Sequence, residues 1–198
     1  MYKGKYFDEV LEYAKGCVEG NIIANKYRKK ACKRFLDDLK NDKWNFDAKD
    51  ADFVINIIEK TICHQQGEKR DGTPLRGTPF FLMSFHKFIV YNLLGFKEKN
   101  TIINRYKEAL IFIPRKNVKT SFAGALAYAL GLLYRNSGSK IYVVAAALKQ
   151  TLETFNFLKY NIKNMGELDE DGGHFHIIDN NNEHSIKAEI SSGFFELN

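Results

Sequence analysis

The residues best suited to chemistry lie in one basic turn, Pro114 to Thr120, between an apolar run and an Ala- and Leu-rich segment. The run Leu110 to Ile113 predicts a buried strand, and the segment Ser121 to Leu133 predicts a helix. Strand, turn and helix follow one another in this way in the phosphate-binding loop G-x-x-x-x-G-K-S/T. There, backbone N–H groups surround the phosphates, the Lys neutralises them and the hydroxyl binds magnesium. Lys119 and Thr120 fit the last two positions.

The two glycines of that pattern are absent, because Ile113 and Val118 stand in their places. A β-branched residue is an outlier at positive φ, and its Cβ stands where the backbone usually approaches phosphate closely. From the pattern alone, two interpretations remain open. One is a nucleotide site, and the other is an ordinary strand-turn-helix with an exposed basic turn.

Three segments together resemble one protein family, the phage terminase large subunits, which are the ATPases of DNA-packaging motors. The segment PRKNVKTSFAGALAYALGLL resembles their deviant Walker A loop, which often reads P-R-K-N-G-K-S/T. Upstream, GTPFFLMSFHKFIVYNLLGF is similar to their nucleotide-base segment, and downstream IYVVAAALKQTLETF is similar to their next strand and helix start. The three matches stand in the family's order, and the resemblance covers the chain from about Tyr13 to its end.

The resemblance implies a site for ATP and Mg²⁺. Lys119 would contact the β and γ phosphates, Thr120 would bind the magnesium ion, and Arg115 would offset charge on the transferred phosphoryl group. Lys119 and Arg115 are therefore the implied catalytic residues. The other implied nucleotide-binding residues are Lys116, Asn117, Val118, Ser121, Phe85 and His86.

His86 stands where the family carries a Gln that holds the adenine. A neutral imidazole offers one donor or one acceptor to a base edge, whereas a Gln amide offers both. A half-exposed His at the start of an amphipathic helix, with no role in nucleotide binding, remains the alternative.

The strand-helix-strand order and the resemblance predict an α/β fold with an incomplete parallel sheet of the P-loop NTPase type. Residues 1–64 are predicted to form a helical arm or lid, residues 65–78 a linker loop, and residues 79–198 a partial ATPase core. A second central strand is predicted at Lys140 to Ala146. Three short strands of β-hairpin type are predicted near the end, at His174 to Asp179, His184 to Ile190 and Gly193 to Leu197.

The arm is predicted to be helical because apolar residues recur at spacings of three and four. The buried side of its first helix is predicted to carry Tyr6, Val10, Tyr13, Ala14 and Val18. That of the second is predicted to carry Tyr27, Ala31, Phe35 and Leu39. Asp47 is expected to cap a third helix.

A complete motor ATPase also needs an apolar strand ending in Asp-Glu, which orients the attacking water. No such run occurs in this sequence, since Phe194-Phe195-Glu196 is too short and Ile177-Ile178-Asp179 lacks the Glu. We therefore expect a nucleotide-binding, N-terminal portion of a terminase with little turnover of its own. The alternative is a truncated, non-catalytic prophage remnant that acts as a DNA- or protein-interaction module.

The charge of the 198-residue chain is formally +6, and it is unevenly distributed. Residues 61–135 carry 12 basic and 4 acidic side chains, so the positive excess surrounds the basic turn and would attract a polyanion. The resemblance implies double-stranded DNA, a portal protein and a small terminase subunit as partners, and a homo-oligomeric ring. Without a leader segment or a run of 18 apolar residues, the expected location is the host cytoplasm, with no membrane partner.

Overall fold

The computed structural model describes residues 2–114, 117–168, 170, 172–190 and 193–198, with only the backbone of Ile190. It shows a mixed α/β protein with six α-helices and two small sheets in the described residues. The chain divides into two compact units. The first contains residues 1–56 and 82–112, and the second contains residues 57–81 and 113–198. Residues 82–112, which the sequence assigned to the ATPase core, therefore cluster with the N-terminal helices.

The first unit is built from helices and one antiparallel pair of short strands. Its elements are α1 (Phe7–Glu19), α2 (Lys26–Asp38), β1 (Trp44–Phe46), the start of α3 (Lys49–Thr61), α4 (Ser84–Leu94) and β2 (Phe96–Glu98). The pair of strands, in which Asn45 lies opposite Lys97, was not predicted from the sequence.

Local signals set the helix ends in the first unit. Gly20 ends α1 with a φ of 96°, a left-handed conformation that suits glycine. The side chain of Asn25 caps α2 by accepting hydrogen bonds from the N–H groups of Tyr27 and Arg28, at 3.1 and 2.9 Å. Asp47 accepts a hydrogen bond from the N–H of Lys49 at the start of α3, as predicted.

Aromatic rings fill the core of the first unit. The fully buried ring of Phe35, on α2, packs edge to face against Phe46, Phe88 and Phe96 at centroid distances of 5.5 to 6.2 Å. Phe46 and Phe96 face each other across the paired strands at 5.0 Å. Edge-to-face aromatic pairs of this kind stabilise a core beyond the area that they bury, so α2 is held in a fixed orientation.

The second unit packs two long helices against a four-stranded sheet. Its named elements after the end of α3 are α5 (Lys119–Leu133), β3 (Ser139–Ile141), α6 (Leu148–Met165), β4 (Phe175–Asp179), β5 (His184–Ile190) and β6 (Gly193–Leu197). The last three strands confirm the predicted β-hairpin region. A Cβ at Gly131 of α5 would lie 1.9 Å from the Phe195 ring, so α5 approaches β6 too closely for any side chain there.

The sheet of the second unit is mixed, and the parallel P-loop sheet is not shown. Its order is β3-β6-β5-β4. Only β3 and β6 run parallel, with Ser139 opposite Phe195, while β5 is antiparallel to both β6 and β4. The hairpin strands supply three of the four members, and antiparallel pairing is what tight turns produce.

The two predicted central strands are the main departure from the sequence analysis. Residues 110–113 form no strand, and the side chains of Leu110 and Phe112 are each 93% exposed. The second strand, predicted to reach Ala146, ends at Ile141, and Val144 is 89% exposed. An apolar run becomes a strand only when a neighbouring strand accepts its backbone hydrogen bonds, and the described residues offer none to residues 110–113.

Candidate nucleotide site

Val118, the last residue of the basic turn before α5, has an unusual backbone conformation. It immediately precedes α5 and has φ 54° and ψ 25°, which is the left-handed helical conformation. Among the described residues other than glycine, only Asn100 shares a positive φ. A β-branched side chain is strained there, at a cost of about 1 to 3 kcal/mol. The backbone at Val118 thus adopts a left-handed conformation that glycine takes up without strain.

The N-terminus of α5 is open to an anion. Its first turn contains no acidic residue, and no side chain caps it. The N–H groups of a first helical turn have no acceptor within the helix, and the helix dipole makes that end positive. A left-handed residue followed by helical residues also turns successive N–H groups toward one point, which forms an anion-binding concavity.

The side chains that follow Val118 are available at this helix end. Lys119 is exposed, and within the described part of the chain it has no ion-pair partner. Thr120 and Ser121 are half-buried in the first turn of α5. The Nδ2 of Asn117 donates to the carbonyl oxygen of Pro114 at 3.3 Å, which closes part of the turn. An ammonium, two hydroxyls and free N–H groups therefore lie within one short segment.

Arg115 and Lys116 lie outside the described residues. Their predicted phosphate contacts, including the catalytic role of Arg115, stay predictions.

Phe85 and His86 belong to the first turn of α4, in the first unit, while residues 117–121 belong to the second unit. The ring centroids of Phe85 and His86 are 3.8 Å apart. The Nδ1 atom of His86 accepts a hydrogen bond from the N–H of Met83 at 3.3 Å. The interpretation of His86 as half-exposed is wrong, because only 2% of it is exposed. Its role toward a base stays a prediction.

Burial also fixes the protonation of His86. Desolvation lowers the pKa of the imidazole to about 4, so the ring is neutral at pH 7. A neutral ring that accepts at Nδ1 carries its proton on Nε2 and can only donate from that atom.

Glu9 holds the start of α4 in place, a role that no sequence pattern indicated. Its two carboxylate oxygens accept hydrogen bonds from Ser84 Oγ and Lys87 Nζ, each at 2.8 Å. The partners are separated from Glu9 by 75 and 78 residues, so no local pattern connects them. Glu9 therefore positions the turn that carries Phe85 and His86.

Two carboxylates of the second unit that each follow a short apolar run, Asp179 and Glu196, are held in ion pairs. Asp179 pairs with Lys159 and with His184, and hydrogen bonds from these two partners hold the pKa of its carboxyl below the usual range. Glu196 pairs with Lys140 and Lys187 at 3.4 and 3.7 Å. In the described parts of the chain no three His, Cys, Asp or Glu side chains cluster as a metal site.

Comparisons of the chain with protein-family models, with curated proteins and with solved structures found no match. None of the described helices is both long and apolar enough to span a membrane.

Proposed function

We propose that this chain is the N-terminal, nucleotide-binding portion of a phage terminase large subunit, and that it holds Mg²⁺-ATP at the N-terminus of α5. The observation that carries the proposal is the left-handed conformation of Val118. A strained residue persists only where the surrounding structure requires it, and such residues cluster at ligand sites. The strain lies directly before a Lys-Thr pair at an uncapped helix end.

Each part of the turn has a role in this proposal. The N–H groups from Asn117 to Thr120 surround the β and γ phosphates, and Lys119 neutralises them. Magnesium is held by the hydroxyl of Thr120, whose neighbour Ser121 adds a second polar contact. Arg115 or Lys116 contributes a further cation to the transferred phosphoryl group.

The finer architecture belongs to the same proposal. In a P-loop ATPase the segment before the phosphate loop is a central parallel strand, and residues 110–113 have the apolar sequence for it. We infer that their exposed side chains become buried when the sheet of the working motor is complete. Double-stranded DNA, a portal protein and a small terminase subunit are the partners of that motor.

Amide NMR shifts test the site residue by residue. On titration with Mg²⁺-ATP, we expect the amide signals of Asn117 to Phe122 to move. The first turn of α6 is the internal control, because Lys149 gives it an exposed lysine while its N-cap residue, Ala147, has an ordinary extended conformation. Equal shifts at both helix ends would indicate unspecific anion binding and contradict the proposal.

A further inference from the structure

One face of α2 carries basic side chains at helical spacing. Because residues three and four apart share a face of a helix, these positions form one continuous exposed surface, here named the basic face. Its members are Lys26, Lys29, Lys30, Lys33 and Arg34, all exposed.

The basic face lies opposite the side of α2 that is packed into the first unit. Cys32, Phe35 and Asp38 are buried, and the ring contacts of Phe35 hold the helix against the core. The prediction that Tyr27 lies on the buried side is wrong, because Tyr27 is 69% exposed and borders the basic face. The charges are therefore presented outward on a fixed scaffold.

Most of this charge is not neutralised by the protein. Within the described chain, Lys33 pairs with Asp37 at 2.7 Å, whereas Lys29 and Lys30 have no ion-pair partner. The ammonium of Lys26 lies 5.0 Å from the Tyr27 ring centroid. Like charges at positions three and four apart repel, so the face carries a repulsion that an external anion would relieve.

The position of these lysines along the helix adds to that repulsion. Lys26 and Lys29 stand in or beside the first turn of α2, which contains no acidic residue. The N-terminal end of a helix is the positive end of its dipole, so cations there are unfavourable for the helix itself. The arrangement thus opposes helix stability and favours binding of a polyanion.

The basic charge continues past the C-terminal end of α2 through stacked rings. The guanidinium of Arg34 lies 5.2 Å from the Tyr106 ring, and that of Arg105 lies 4.8 Å from Tyr106 and 4.2 Å from Trp44. Lys43 lies 5.1 Å from the Trp44 ring. Arg105 also forms an ion pair with the buried Asp38, and this pair holds its guanidinium in place beside the rings of Trp44 and Tyr106.

We infer that the basic face of α2 binds the phosphate backbone of double-stranded DNA, without nucleotide. Lys26 and Lys33 are about 10 Å apart along the helix axis, the length of about three base-pair steps. Within the described chain, Tyr27 is the exposed ring beside the lysines, and Lys26 already lies over it, so the face offers charge rather than the stacking platforms of single-strand binders. Double-stranded DNA is also a partner in the proposed function. The observations that support the basic face, however, all concern residues of the first unit and do not depend on the nucleotide site.

Fluorescence anisotropy with a short labelled duplex of random sequence, in the absence of nucleotide, tests this inference. Two triple variants of equal charge change are compared: Lys26→Gln/Lys29→Gln/Lys30→Gln on the basic face, and Lys3→Gln/Lys15→Gln/Lys49→Gln at exposed positions outside α2. We expect the first to lower affinity at least about tenfold at low salt and to flatten the log–log salt slope by about 2.7, or 0.9 per lost phosphate contact. The second should change both far less.

Thermal unfolding of the same variants separates binding from folding. The basic-face variant should melt no lower than wild type, because it removes repulsion at the positive end of α2. Equal losses of affinity in the two variants would show that only net charge matters and would overturn the inference. Tighter binding of wild type to a labelled single strand than to the duplex would also overturn the inference. So would an absence of duplex binding by wild type at low salt, which would favour an acidic protein as the partner of the basic face.

Discussion

At the scale of single residues, Val118 connects the sequence to the proposed chemistry. Its β-branch is the main departure of the sequence from a phosphate-binding loop, since Val118 stands in place of a glycine. The structure gives Val118 a left-handed backbone conformation, with φ 54°, which a glycine adopts without strain. Pattern comparison could locate this position, but whether the chain would accept the strain depends on the packing of α5, which no local pattern encodes.

Val118→Gly should therefore raise the free energy of unfolding. Relief of strain contributes about 1 to 3 kcal/mol, and the greater freedom of glycine in the unfolded chain costs about 0.5 to 1 kcal/mol, so we expect a net gain of about 1 kcal/mol. Urea denaturation measures it. Val118→Ala, which keeps a Cβ, is the control and should gain less. A glycine variant less stable than the alanine variant would mean that Val118 is not strained.

His86 should make stability depend on pH. Its pKa is about 4 in the folded protein against an ordinary value near 6.5, because burial disfavours the imidazolium. Below pH 6.5 the unfolded chain takes up the proton first, so stability present above pH 6.5 is lost as the pH falls toward 4, by on the order of 3 kcal/mol.

His86→Asn, which keeps an acceptor for the Met83 N–H, should flatten this part of the stability curve. His64 is the matched control. Burial lowers the pKa of its imidazole too, but His64 is more exposed than His86. If His64→Asn flattened the curve as much as His86→Asn, the assignment of the pH dependence to His86 would be wrong.

At the scale of elements, the sequence predicted where helices and hairpin strands lie better than it predicted which residues they pack against. The limits of α1, the cap of α2 and the strands β4 to β6 depend on residues close together in sequence, such as Gly20 and Asn25. The buried side of α2 was predicted correctly at Phe35 but wrongly at Tyr27, and it also includes Asp38. Its partner Arg105 is 67 residues away, and only the folded chain brings the two together.

The contact between α5 and the sheet gives a prediction at this scale. Gly131→Ala should destabilise the protein by about 1 to 3 kcal/mol or more, because the new methyl group would overlap the buried ring of Phe195. Gly124→Ala, in the same helix, is the control. A Cβ at Gly124 would lie 3.0 Å from the nearest atom, in the Phe157 ring, so only a small shift of that ring is needed. The higher helix propensity of alanine offsets the cost of this shift. Equal urea midpoints for the two variants would contradict the close packing of α5 on β6.

At the scale of the whole molecule, the two units carry different parts of the account. The second unit holds the uncapped end of α5 and the strained turn, while the first holds Phe85, His86 and the basic face of α2. The mixed sheet was not predicted, because the pairing of β3 with β6 joins residues more than 50 positions apart. Long-range pairing of this kind is the part of a fold that periodicity cannot supply.

Turnover of ATP by this chain should stay near background. Asp179 and Glu196, which each follow a short apolar run, are held in ion pairs, and the sequence contains no apolar run ending in Asp-Glu. A phosphate-release assay should give the same low rate for wild type and Lys119→Ala. A robust rate that Lys119→Ala abolishes would show that a carboxylate in this chain activates water.

The central claim is that the end of α5 binds Mg²⁺-ATP through Lys119, and isothermal titration calorimetry tests it most directly. Lys119→Ala should weaken binding by roughly 2 to 3 kcal/mol, the scale of a lost charge-assisted contact. Lys149→Ala removes an equally exposed lysine from the first turn of α6 and should leave the affinity unchanged. Equal affinities for wild type and Lys119→Ala, or no heat of binding from wild type, would contradict the account and favour a non-catalytic interaction module.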